Sequence, residues 1–256
     1  MTSSPEVLRD GPFTTIWMNM PEKRNALSLE HMLALTAAFE EVGASDALGV
    51  ILGGRGKVFS AGHDFADMAG ADLGQMRALL IACTKLMNTI QSIPQPVVAR
   101  VHSLATAAGC QLVATCDLAV AADTAGFAVP GGKGGWFCTT PMVAVGRAVG
   151  RKRALELAMT GDPIDAATAA DWGLINRAVP AESLDEEVLD LLRRSTRGSA
   201  SSKGIGKQAF YAQIDLDQPK AYAYAVEVMA SASQTPDARE GVAAFLEKRP
   251  PKFSTP

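Results

Sequence analysis

No stretch of this sequence runs uncharged and apolar for the roughly 18 to 20 residues that a membrane-spanning helix needs. No surplus of basic charge appears either. The 24 Lys and Arg stand against 27 Asp and Glu, spread evenly, which argues against the clustered positive face of a nucleic-acid binder. Aromatic residues make up only 6% of the chain, too few for base-stacking platforms. Cys83, Cys110, Cys116 and Cys138 form no Cys-x-x-Cys pair and sit among apolar neighbours. They read as free buried thiols rather than disulfides or metal ligands. His31, His63 and His102 are too few and too scattered for a zinc motif. The first ten residues carry Glu6, Arg9 and Asp10 and lack the basic start and apolar stretch of a secretory signal. A cytoplasmic location is the expectation.

What is present is apolar material. Residues of hydrophobic type form 48% of 256, enough to bury a large core and too many for a disordered chain. Val7 to Asn19 reads as two strands about a Gly11-Pro12 turn. Ser28 can cap a helix carrying Met32, Leu33, Leu35, Ala38 and Phe39 at helical spacing. Strands are expected over Ala47–Leu52, around Lys57–Ser60, and over Pro96–Val101 and Leu118–Ala122. A long amphipathic helix is expected over Asp72–Ile90, stopped by Pro94 and Pro96. The second half turns helical: Arg151–Thr160, Asp165–Trp172, Leu184–Arg194, Lys203–Tyr211, Tyr222–Ser233 and Asp237–Glu247, with a short strand at Leu174–Val179. Ser195 to Ser202, rich in Ser and Gly, reads as a loop. The fold class is α/β with a helical tail.

Three segments could carry chemistry. In Lys57–Asp64 a strand runs into the small-residue turn Ala61-Gly62, where a ligand can approach the backbone. A turn that opens a helix leaves free N–H groups able to hold an anion or a developing oxyanion. In Leu104–Leu112, five small residues in six positions precede a second helix, and Gln111 lies one helical turn after Ala108. The third, Pro130–Phe137, is glycine-rich but lacks the spacing of a phosphate-binding loop. Taken singly, each is accounted for equally well by ordinary turns and close helix–sheet packing.

Taken together, 45 positions separate His63 from Ala108, and each turn could aim an amide into one cleft. The pattern resembles the crotonase superfamily, the enoyl-CoA hydratase/isomerase family. The resemblance runs through Asn25-Ala26-Leu27-Ser28, Phe59 to Asp64, Ala107 to Leu112 with Cys116-Asp117-Leu118, Thr160-Gly161 to Gly173-Leu174-Ile175, and Thr235 to Phe253. It implies a ββα spiral core over residues 1–195, a helical trimerisation region over 196–256, and acyl-CoA substrates bound by a homotrimer or hexamer. It implies no cofactor beyond the coenzyme A of the substrate, and no metal. Carried over, the backbone N–H groups of His63 and Ala108 form the oxyanion hole. Arg24, Ala26 and Leu27 line the coenzyme A, with backbone around Ala61, Gly62 and Asp64. Trp136 belongs to the glycine-loop wall, and Lys248 reaches the coenzyme phosphates.

Two departures follow from the same comparison. Hydratases of the family carry a glutamate where this chain has Gln111, and another where Gly131 follows Pro130. Positioned acid–base groups contribute about 10²- to 10⁴-fold each, so slow hydration is expected, with the double substitution Gln111→Glu, Gly131→Glu as its repair. Two other readings fit a carboxylate-poor pocket. One is a malonyl-CoA-type decarboxylase, although those relatives use a tyrosine where this chain has Trp136 and Phe137. The other is a non-catalytic acyl-CoA binder.

Overall fold

The computed structural model describes residues 4–253. The N-terminal hairpin pairs β1 (Glu6–Asp10) antiparallel with β2 (Phe13–Met18). Then come α1 (Leu29–Gly43), capped by the Ser28 side chain, and β3 (Gly49–Gly54). The short α2 (Phe65–Met68) leads to the long α3 (Leu73–Ser92), whose N-terminus carries a reciprocal Asp72–Gln75 capping box. Next are β4 (Val97–Val101), β5 (Ala105–Thr106), α4 (Ala108–Thr115), β6 (Leu118–Ala122) and β7 (Gly126–Ala128). The second half holds α5 (Pro141–Val149), α6 (Arg151–Thr160), β8 (Ile164–Asp165), α7 (Ala166–Trp172) and β9 (Arg177–Val179). Four helices finish the chain: α8 (Leu184–Ser195), α9 (Ala200–Gln213), α10 (Gln218–Ala232) and α11 (Pro236–Leu246).

Six strands form one sheet in the order β1-β2-β3-β4-β6-β9, parallel except at the hairpin, and β5-β7-β8 form a second. Parallel strands must be covered on both faces. Leu184, Val188 and Leu192 of α8 cover one face over Val98, Val120 and Ala122. The other face meets the main core, where Phe39 of α1, Leu86 and Ile90 of α3 and Leu112 of α4 are buried. Among the described residues, no helix is long and apolar enough to cross a membrane.

The structure corrects three local expectations. Lys57–Ser60 is not a strand; only Ser60 forms a bridge, to Ala105, because its neighbours' carbonyls are drawn to a buried side chain instead. The strand expected from Leu174 starts only at Arg177, since Leu174 and Ile175 close the end of α7, their N–H groups donating to the Ala169 carbonyl. The glycine-rich loop is a 3₁₀ turn over Pro130–Gly134, and α5 follows it with no counterpart in the sequence reading.

Candidate active site

The site grows from Asn25. Its backbone is left-handed (φ 51°) and its side chain fully buried. The amide oxygen accepts from the Met20 N–H at 2.9 Å, and Nδ2 reaches the carbonyls of Arg55, Val58 and Phe59 at 2.8, 2.9 and 3.1 Å. A buried amide left unpaired would cost about 1 to 3 kcal/mol, so this satisfied one fixes the geometry around it. Ser60 Oγ donates to the Asn25 carbonyl at 2.9 Å, and the Ala61 N–H donates to the Arg24 carbonyl at 3.0 Å. Leu27 donates to the Gly62 carbonyl (2.7 Å) and accepts from the Asp64 N–H (3.3 Å). That parallel bridge uses the neighbours on either side of His63 and turns the His63 N–H away from Leu27.

The second turn is fastened to the first. The Thr106 N–H donates to the Ser60 carbonyl at 3.0 Å. A Cβ at Gly109 would stand 2.5 Å from that same carbonyl oxygen, so only glycine fits there. Gly62 (φ +85°) is as confined: a Cβ on it would come within 2.9 Å of the Ala107 Cβ and 3.2 Å of the Ala108 nitrogen. The turns at His63 and Ala108 are therefore in van der Waals contact. Ala108 opens α4, so its N–H belongs to the first helical turn and has no intrahelical acceptor. Among the described residues, no protein acceptor takes the His63 or the Ala108 N–H. Two adjoining, preorganised donors of this kind can stabilise negative charge on a carbonyl oxygen.

The titratable groups beside these donors are committed elsewhere. The His63 ring contacts the Leu27 carbonyl through Nδ1 at 3.4 Å, while Nε2 is buried without a partner. Burial holds its pKa below the usual imidazole value, which keeps the ring neutral. Asp64 caps α2 by accepting the Ala66 N–H at 3.0 Å and pairs with Lys23 at 3.1 Å. The Ala66 bond, then Lys23, holds its carboxyl below the usual range. Lys133 is ion-paired with Asp162.

Gln111 is buried and turned toward α3, its Oε1 facing the Cys83 thiol at 3.7 Å. Burial pushes that thiol up to about 12, so it stays a neutral donor. Gly131 is more than a residue lacking a carboxylate. A Cβ there would lie 2.3 Å from the Trp136 carbonyl oxygen and 2.5 Å from Cys138 Sγ. The repair by Gly131→Glu expected from sequence therefore collides with backbone and cannot be made without rebuilding the turn.

The remaining residues separate into two groups. Arg24 is exposed and its backbone joins the site, while the side chains of Ala26 and Leu27 are buried, which leaves their backbone as the part able to line a ligand. Trp136 is exposed at the mouth of a groove along α3. Lys248 lies just past α11 with a left-handed backbone, and among the described residues no hydrogen bond or ion pair joins it to these segments. Sequence reasoning quoted Asn25 only as part of a turn and missed its role as the clamp. Its signal was an asparagine, the residue that best tolerates left-handed backbone after glycine, ahead of a buried apolar pair.

The chain is similar to known proteins over nearly its whole length. The enoyl-CoA hydratase/isomerase family model matches residues 11–256. The rat protein called enoyl-CoA hydratase domain-containing protein 3, mitochondrial, is 42% identical over 241 residues, covering 93% of this chain and 80% of that protein. A crystal structure of enoyl-CoA hydratase from Mycobacterium smegmatis superimposes with a TM-score of 0.94 at 43% identity, covering 98% of this chain and 99% of the other. The human enoyl coenzyme A hydratase domain-containing protein 3 superimposes with a TM-score of 0.93 at 38% identity, covering 97% and 99%.

Proposed function

The chain belongs to the enoyl-CoA hydratase/isomerase family, and from that premise we propose that it binds an acyl thioester of coenzyme A and stabilises its enolate between the His63 and Ala108 N–H groups. One observation carries this reading: Gly62 packs against Ala107 and Ala108 so closely that the two unpaired amides lie on adjoining turns, with Ala108 itself buried. A thioester carbonyl gains negative charge when the adjacent carbon loses a proton or a carboxylate, and fixed donors favour that state over the ground state.

Efficient hydration is not part of the proposal. Adding water to an enoyl thioester needs a group to take and return protons. Gln111 cannot do so, position 131 has no side chain and no room for one, Asp64 is engaged in capping α2, and the one ring nitrogen of His63 left unpaired, Nε2, is buried. Loss of carbon dioxide from a malonyl-type thioester needs enolate stabilisation and no strong base, and the carboxylate-poor surroundings favour it as the second reading. A thioester binder without turnover is the third.

A panel of acyl-CoA thioesters, followed by calorimetry for binding and by product formation for turnover, tests this. Crotonyl-CoA should be hydrated well below the usual enzyme range of about 1 to 10³ per second, and carbon dioxide from malonyl-CoA would select the second reading. Gly62→Ala should weaken thioester binding by forcing the turns apart. Ala108→Pro should do so by deleting one donor while keeping a residue favoured at the first helical position. Any turnover should fall about 10²- to 10³-fold. Ordinary hydration rates, or thioester binding indifferent to both substitutions, would overturn the reading.

The proposal includes self-association, as a trimer or a pair of trimers. Tyr222, Val226 and Met229 on α10 and Val242, Phe245 and Leu246 on α11 are all exposed. Apolar stripes of this size on a single chain mark surfaces that meet a partner.

A further inference from the structure

Along the outer face of α3 runs a groove of about 560 Å³, lined by Leu73, Met76, Leu80 and Ile81, with Thr84 farther along and Trp136 from the glycine turn. The Trp136 carbonyl packs on Gly131, and Cys83, next to Thr84, packs on Gln111. The groove thus connects, through its lining residues Trp136 and Thr84, to the positions where the family's hydratases hold their acids: the Trp136 carbonyl closes on Gly131, and Thr84 shares a second cavity with Gln111. Its walls are apolar save for one charge, Arg77, which sits among the lining residues in the middle of the helix face. Among the described residues Arg77 has neither an ion pair nor a side-chain hydrogen bond, a condition it shares with Arg24, Arg151, Arg193 and Arg197, while Arg9, Arg55, Arg100, Arg147, Arg153 and Arg249 pair with carboxylates.

We propose that this groove selects acyl thioesters whose far end carries a carboxylate, with Arg77 as the residue that binds it; the inference rests on the thioester reading above. The apolar walls take the methylene chain, and the guanidinium meets the terminal carboxylate with two parallel N–H donors. An uncharged chain end would gain nothing from Arg77. The specificity is local rather than a property of the overall charge. The chain is net −3, so its general field opposes an additional negative charge on the ligand.

The test compares adipoyl-CoA with hexanoyl-CoA, equal in carbon number and different only at the far end, by isothermal titration calorimetry at low ionic strength. Wild-type protein should prefer adipoyl-CoA about twofold to fivefold, the ratio expected for one exposed ion pair at low ionic strength. Arg77→Gln should bring the ratio of the two affinities near one, and Arg77→Lys should keep part of it. Arg77 is on the surface, so these substitutions spare the core. A wild-type ratio near one, or a preference that survives Arg77→Gln, overturns this inference and leaves the thioester reading standing. If neither thioester binds, both fall together.

Discussion

Ala107 carries the backbone strain of the site. With φ 51° and ψ −118° it occupies a region that glycine visits freely and alanine does not, at a cost of about 1 to 3 kcal/mol. It is held there from three sides. Its N–H donates to the Ala128 carbonyl at 2.9 Å, its carbonyl accepts from the Gln111 N–H at 3.1 Å, and its methyl lies against Gly62. Ala107→Gly should therefore stabilise the protein by about 1 kcal/mol, strain relief exceeding the extra freedom glycine gains when unfolded. Chemical denaturation would read this as a raised midpoint with an unchanged slope, and an unchanged or lowered midpoint would show the strain to be absent. The run of small residues made close approach in this segment legible from sequence. It did not show which alanine bears the cost, because that depends on an acceptor at Ala128, 21 positions on. Gly131 teaches the same lesson from the other side. The sequence reports a missing carboxylate, and only the packing of Trp136 and Cys138 reports that the space is gone as well.

Elements with strong local signals were read closely. Ser28, Asp72 and Asp165 cap α1, α3 and α7 as side-chain acceptors, and α6 spans Arg151–Thr160 as its periodicity requires. The helix α5 escaped because Val143, Val145 and Gly146 are poor helix formers and a glycine-rich turn precedes it. Its usable signal was the buried series Pro141, Val145 and Val149 at intervals of four. At the far end, α11 holds the last described residues through one carboxylate. Glu240 takes Arg249 at 2.6 and 3.0 Å and the Lys252 N–H at 2.6 Å, and the Arg249 bond, then Lys252, depresses its pKa to about 2. A depressed carboxylate pKa supplies docking that is complete above the ordinary value near 4.5 and lost as pH falls through about 2. Hydrogen exchange at the Lys252 amide should accordingly lose protection over that window. Glu240→Gln should lower protection at neutral pH and flatten its pH dependence, and a tail whose protection ignores Glu240→Gln would refute the assignment.

At the scale of the whole molecule, the proposed trimer accounts for apolar surface that one chain leaves open. Phe245 is 82% exposed and Met229 79%, values that a stable lone chain seldom keeps on consecutive helices. Light scattering should return a trimer or hexamer, and Phe245→Glu should shift the mass downward while far-ultraviolet circular dichroism stays the same. A wild-type monomer would defeat the proposal. The helical tail is tied to the sheet through Lys207 of α9. Its ammonium pairs with Asp117 at 2.7 Å and donates to the carbonyls of Ile90 and Gln95, while the Tyr211 hydroxyl donates to the same carboxylate at 2.8 Å. Asp117-Leu118 was visible in the sequence as part of a motif. Its partners 90 and 94 positions later were not, since no local periodicity joins them.

The strands of the large sheet and the turns of the site are laid down in the order in which a ribosome would deliver them. Asn25 waits for Phe59, Ser60 for Ala105, and Ala107 for Ala128. A nascent chain about as long as β1 through β4 would already present parallel strands, yet α8, which shields one face of them, would not have been synthesised. Such an intermediate shows open edges and bare Val and Leu to its surroundings. The proposed pair of amide donors is therefore completed only after this stage of synthesis, and the cell must guard an adhesive half-sheet before both turns exist.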